Sequence, residues 1–157
     1  MATKELKIGD KAPTFTLPGD GGKNVSLSGL KGKRVVLYFY PKDDTSGCTA
    51  EAIAFTQLGK EFDKADTIVI GISKDSAASH DKFKKKHDLS VTLAADEETK
   101  TAQAYGVWVE KSMYGRRYMG MERATFLIDA KGSIRSIWRK VKVPGHAKEV
   151  LAAIQDL

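Results

Sequence analysis

The single cysteine of the chain, Cys48, stands in the run Pro41-Lys42-Asp43-Asp44-Thr45-Ser46-Gly47-Cys48-Thr49-Ala50-Glu51. A buried-strand pattern ends just before this run and an amphipathic-helix pattern begins inside it, so the sulfur falls in the first turn of a helix. Unpaired backbone N–H groups and the positive end of the helix dipole favour a thiolate over a thiol at that position. Gly47 lets backbone amides approach a bound anion or polar oxygen closely. Thr45 supplies a hydroxyl that can hydrogen-bond to the sulfur or to a substrate oxygen. An inert cysteine is the commoner kind, but it belongs at an apolar position inside a strand or helix. The strand-to-helix setting of Cys48 points instead to a reactive thiol. One cysteine also excludes an intrachain disulfide framework, a Cys-rich zinc site and a CxxC redox pair.

Other groups offer less chemistry. His80, His87 and His146 have no metal-ligand companions at suitable spacing, so no metal or other cofactor is expected. His80 and His87 read as solvated residues of one helix. Lys82–Lys86 reads as a solvated face around one buried residue, Phe83. The stretch from Met113 to Met121, with Tyr114, Arg116, Arg117 and Tyr118, can line a docking or nucleic-acid surface. Its place in the chain makes it a loop beside the Cys48 site.

The elements that must hold Cys48 follow from hydrophobic periodicity. Arg34 to Tyr40 (RVVLYFY) and Thr67 to Ile72 (TIVIGI) are continuous β-branched and aromatic runs, the mark of strands buried on both faces. Phe55, Leu58 and Phe62 recur at helical spacing within Cys48 to Ala65. Asp75 or Ser76 can cap a helix reaching about His87, with Ala78, Phe83 and Leu89 turned inward. Val91 to Ala94 is a short strand, and Asp96 can cap a helix closed by Gly106. Thr125 to Ile128 and Ile134 to Trp138 are strands joined by a turn at Asp129-Ala130-Lys131-Gly132. A last helix begins near Pro144-Gly145-His146 and puts Val150, Leu151 and Ile154 on one face. Ahead of all these, Thr14 to Leu17 and Asn24 to Leu27 form a hairpin about the glycine-rich stretch Gly19 to Gly22. This order describes an α/β fold, a mixed sheet with helices on both faces and an N-terminal β-hairpin.

Composition agrees with that reading. The chain has 157 residues, 41% hydrophobic and 29% charged, as one domain spanning 1–157 would have. The net charge of +6 fits scattered surface lysine, and nucleic-acid binding is not expected. No apolar run reaches membrane-spanning length, and the opening MATKELKIGDK lacks the apolar core of a secretory signal. A cytoplasmic protein with no membrane partner is the resulting expectation.

The residues around Cys48 also carry a family resemblance. PKDDTSGCTAEA resembles the catalytic loop of the peroxiredoxins, with Pro41, Thr45 and Cys48 matching a PxxxTxxC pattern. YFYPKDDT and GCTAEA are similar to the peroxiredoxin Q, or bacterioferritin comigratory protein, subfamily. A second block agrees, running from Tyr105-Gly-Val-Trp108-Val-Glu-Lys111 through Tyr114-Gly115 to Glu122-Arg123-Ala-Thr-Phe-Leu-Ile-Asp129. The opening Ile8 to Leu17 matches as well, so the resemblance covers essentially the whole chain. It implies a thioredoxin-like fold and reduction of hydrogen peroxide and organic hydroperoxides. Under that implication Cys48 attacks the terminal peroxide oxygen and becomes a sulfenic acid. Arg123 is then the cation that lowers the thiol pKa and stabilises charge moving along the S–O–O axis. Thr45 and the amides at Gly47 and Cys48 complete the oxygen cradle, and Pro41 shields the thiolate. Glu51 either orients Arg123 or is a solvated first-turn charge; the sequence favours neither.

Two positions depart from the family. Resolving cysteines of relatives fall at the place of Ile53 or near Phe83-Lys84, and neither holds a cysteine here. The sulfenic acid then requires an external thiol, from thioredoxin, glutaredoxin or glutathione, in a 1-Cys mechanism. Ser46 replaces a frequent proline, which loosens the loop. A monomer is expected from the subfamily. The competing reading is a redox sensor, in which Cys48 oxidises once and signals to a partner.

Overall fold

The computed structural model describes residues 5–157. Strands β1 (Thr16–Pro18) and β2 (Asn24–Ser26) pair antiparallel around a 3-10 turn at Asp20–Gly22, giving the expected N-terminal hairpin. Strand β3 (Arg34–Phe39) leads through the Cys48 loop into helix α1 (Ser46–Gln57) and then α2 (Gly59–Lys64). There follow β4 (Thr67–Ser73), α3 (Ala77–His87), β5 (Thr92–Ala95) and α4 (Lys100–Ala104). Next come β6 (Trp108–Met113), β7 (Arg116–Met121), β8 (Ala124–Ile128), β9 (Ile134–Trp138) and α5 (His146–Gln155).

Five strands form one mixed sheet in the order β5-β4-β3-β8-β9. Strands β3, β4 and β5 are parallel, while β8 runs antiparallel to both β3 and β9. The central strand β3 is apolar on both faces because both faces are covered. Val35, Leu37 and Phe39 enter one core with Ile70, Tyr105 and Phe126. Val36, Tyr38 and Tyr40 enter the other, beneath Phe55, Phe62, Phe83 and Val150 of the four longer-lying helices α1, α2, α3 and α5. Helix α4 covers the first face through Ala102.

This topology builds the site before any side chain is considered. Parallel strand β3 delivers the chain to the edge of the sheet where α1 begins, the edge at which open α/β sheets gather ligands. Ala124 at the start of β8 is paired with Phe39 at the end of β3. Arg123, one residue earlier, therefore stands at the same edge as the Cys48 loop.

Four expectations are corrected. The helix read across Cys48 to Ala65 is two helices. Leu58 leaves helical geometry (φ −96°, ψ 10°), and the chain restarts at Gly59, where an added Cβ would lie 3.3 Å from the Ser90 hydroxyl oxygen. The Met113–Met121 stretch is not a loop but most of a hairpin, β6 paired with β7 about Tyr114-Gly115. Both turn residues have positive φ, 52° and 76°, as a two-residue primed turn requires. Its alternation is hard to read because Met113, Tyr114, Tyr118 and Met119 are exposed. Ala78 is exposed rather than inward. His80 is fully buried rather than solvated, on the same face of α3 as Phe83.

Candidate active site

Helix α1 starts with Thr45 as its extended N-cap residue, which leaves Cys48 in the first turn. No side chain caps this helix end, so its amides remain available to a ligand. Cys48 is 1% exposed and packs in the core with Tyr38, Tyr40, Ala52 and Phe55. Glu51 lies one turn later on the same helix face. It too is buried, at 2% exposed.

Arg123 joins the two. Its Nη2 donates to Cys48 Sγ at 3.4 Å, and its Nη1 donates to Glu51 Oε1 at 2.7 Å. A guanidinium suits this task because its planar donors address two acceptors in fixed geometry. Gly47 makes the approach possible: a Cβ there would lie 3.2 Å from Arg123 Nη2. Burial pushes the Glu51 carboxyl up to about 7, against the opposing pull of Arg123. Glu51 Oε2 has no hydrogen-bond partner among the described residues, which adds to the cost of ionising it. The two readings of Glu51 are thereby separated: it is a buried partner of Arg123 and not a solvated charge.

Thr45 is placed differently from expectation. Its hydroxyl donates to the Lys42 carbonyl at 2.8 Å and makes no hydrogen bond to the sulfur. The bond closes the loop on itself and leaves the Thr45 oxygen as an acceptor only. Pro41 is half-buried at the start of the loop, on the wall of a cleft it shares with Trp108 and Met121.

A second set of residues holds this loop and escaped the sequence reading. Asp43 is buried and receives the Tyr40 hydroxyl at 2.6 Å and the Ser79 hydroxyl at 2.8 Å. His80 Nδ1 lies 2.7 Å from Asp43 Oδ2, and its Nε2 lies 3.0 Å from the Ala94 carbonyl. The Asp43 backbone N–H donates to Asp75 at 2.8 Å, and Ser73 donates to the same oxygen at 2.6 Å. The loop is thus tied to β4, α3 and β5 at once. Asp44 adds an outer tie: its carboxylate accepts from Lys86 and His87, which hold it below the usual carboxylate range. Asp44 adopts φ 59°, a left-handed conformation that these contacts maintain. One signal for the network was present in the sequence, since His80 precedes inward Phe83 by three positions on one helix.

The arrangement is a buried cysteine with a guanidinium on its sulfur and a buried carboxyl group behind the guanidinium, set at a helix N-terminus. The chain belongs to the AhpC/TSA family, whose sequence profile matches residues 8–137. It is 49% identical over 152 residues to the peroxiredoxin Bcp of Bacillus subtilis, covering 97% of each chain. A solved structure of Xylella fastidiosa PrxQ, a C-to-S variant, superposes with a TM-score of 0.92 at 38% identity, covering 98% of each chain. The Xanthomonas campestris bacterioferritin comigratory protein, described for its alkyl peroxide reduction activity, superposes at 0.87 with 43% identity over 90% of each chain. Within the family this is a peroxiredoxin of the Bcp/PrxQ kind, thioredoxin-like in fold and carrying a single cysteine.

Proposed function

We propose that Cys48 is the peroxide-reducing residue of a thiol-dependent peroxidase, with Arg123 its electrostatic partner and Glu51 the residue that positions Arg123. The observation that carries this reading is the 3.4 Å contact from Arg123 Nη2 to Cys48 Sγ. As the sulfur attacks the distal oxygen of ROOH, the S–O bond forms and the O–O bond breaks. Cys48 becomes a sulfenic acid, and ROH leaves after the departing oxygen takes a proton. The same guanidinium then faces the region where charge develops on oxygen. Amides of the first turn at Gly47 and Cys48 supply further donors, and Thr45 contributes loop geometry through Lys42. Pro41 restricts the mouth of the loop.

Cys48 is the only cysteine, so the second half of the cycle requires thiols from outside the chain. Thioredoxin, glutaredoxin and glutathione all have the necessary chemistry, and a reducing, cytoplasmic setting supplies them. Hydrogen peroxide and organic hydroperoxides are the proposed substrates, the latter in keeping with the alkyl peroxide reduction described for the Xanthomonas campestris relative. The protein acts as a monomer, without metal or other cofactor. Steady peroxide consumption with each thiol supplied in turn tests this reading; activity equal to that of Cys48→Ser under every condition overturns it.

A further inference from the structure

Beside the Cys48 loop lies an open cleft of about 380 Å³, walled by Pro41, Lys42, Lys74, Trp108, Lys111 and Met121. Its size falls within the range of small-molecule sites, roughly 300 to 1,000 Å³. Two contacts join it to the active site. The Lys42 carbonyl receives the Thr45 hydroxyl, and the Lys111 ammonium donates to the carbonyl of Met121, two residues before Arg123.

The charge of the cleft is one-sided. Lys84 and Lys86 of α3 are paired with Asp20 and Asp44, but among the described residues Lys42, Lys74 and Lys111 make no ion pair. Lys74 instead lies 5.8 Å over the Trp108 ring. The one carboxylate on the wall, Asp75, is already committed to Ser73 and the Asp43 N–H. Glu122 lies near Lys111 but faces Arg139, at 3.8 Å. Three ammonium groups over an aromatic and thioether floor are complementary to a small, partly apolar molecule bearing carboxylates.

We propose that this cleft seats the second thiol of the cycle, a small carboxylate-bearing thiol of tripeptide size such as glutathione. The inference rests on the peroxidase reading above. A thiol held there has a high effective concentration at the oxidised sulfur. Its thiolate attacks the sulfenic sulfur, forming the mixed disulfide; hydroxide leaves and takes the thiol proton as water. A second thiol then attacks the mixed disulfide, releasing the small disulfide and restoring the Cys48 thiolate.

The test oxidises Cys48 with one equivalent of hydrogen peroxide and then mixes it at low salt with glutathione or glutathione diethyl ester. Rates are compared per thiolate, by quench-flow mass spectrometry. Wild type is expected to react about tenfold faster with glutathione than with the ester, a preference that added salt erodes. The Lys74→Gln variant is expected to bring the ratio down toward one while its oxidation by hydrogen peroxide stays at the wild-type rate. A ratio near one in wild type, or an undiminished ratio in the variant, overturns the proposal. So does a variant that slows oxidation by a fatty-acid hydroperoxide but keeps the glutathione ratio, since the cleft then serves the peroxide. Failure of Cys48 to form a sulfenic acid at all would instead sink the peroxidase reading.

Discussion

Arg123 stands with Nη2 3.4 Å from Cys48 Sγ while its Nη1 is held 2.7 Å from Glu51 by a carboxylate that is itself buried. The cation is therefore shared between the Cys48 sulfur and a group that can gain or lose charge. That sharing sets most of the measurable behaviour of the site.

Arg123→Ala should slow oxidation of Cys48 by hydrogen peroxide at least tenfold, an order-of-magnitude loss for one transition-state donor. Arg123→Lys should recover only part of it, because an ammonium cannot address sulfur and carboxylate with a planar fork. Stopped-flow oxidation rates at fixed pH check both; an unchanged rate in Arg123→Ala removes the guanidinium from the mechanism.

Glu51 gives the site a pH dependence near neutrality. Its carboxyl is pushed up to about 7 by burial. Below that pH it is neutral and leaves the Arg123 charge to the sulfur; above it, the carboxylate competes for the same cation. The oxidation rate corrected for thiolate fraction should fall as pH rises through about 7, and Glu51→Gln should lack that inflection. Stability has the same sign: a carboxyl raised in the folded state contributes below its unfolded value of about 4.3, and the contribution is lost as pH rises through the folded value. Denaturation midpoints of wild type should decline over that window, and those of Glu51→Gln should decline less.

Gly47→Ala separates stability from function. Alanine is the better helix residue by up to about 1 kcal/mol. Yet its Cβ would stand 3.2 Å from Arg123 Nη2 and press the guanidinium off the sulfur. The expected variant melts no lower than wild type and oxidises several-fold more slowly. Equal rates would show that Arg123 yields without loss.

His80→Ala removes one of the partners of buried Asp43 and loosens the loop's tie to α3, where Ser79, Lys86 and His87 still hold Asp43 and Asp44. Leaving a buried polar group short of a hydrogen-bond partner costs about 1–3 kcal/mol. Chemical denaturation should show a loss of that order, and Cys48 oxidation should slow although His80 touches neither Cys48 nor Arg123. Wild-type stability in the variant would contradict the structural tie.

Local chemistry made much of this legible in sequence. Strand β3, apolar and aromatic from Val35 to Phe39 after Arg34, could only be central. The helix start beside Gly47 placed Cys48 in a first turn, and turn residues marked the β8–β9 hairpin. Distant pairings were not legible. The contact between Arg123 and Glu51 depends on the β3–β8 register, which joins residues far apart in the chain. His80 was misread because a polar residue on a buried face is explained only by its partners, Asp43 and the Ala94 carbonyl. The Thr45 hydroxyl reads in sequence as a partner of the sulfur or of a substrate oxygen, and loop geometry turns it to the Lys42 carbonyl instead. The β6–β7 hairpin was hidden because an exposed pair of strands needs no apolar alternation.

The most direct measurement of the central claim is single-turnover oxidation without added thiol. Protein is mixed with excess hydroperoxide, quenched with a sulfenic-acid trap within milliseconds to seconds, and its intact mass and trap site are read. Wild type should convert fully to a trapped adduct at Cys48 and consume about one equivalent before further peroxide acts more slowly. Turnover should resume only when thiol is supplied. Sustained turnover by wild type without thiol, or the same peroxide consumption by Cys48→Ser, would contradict the account.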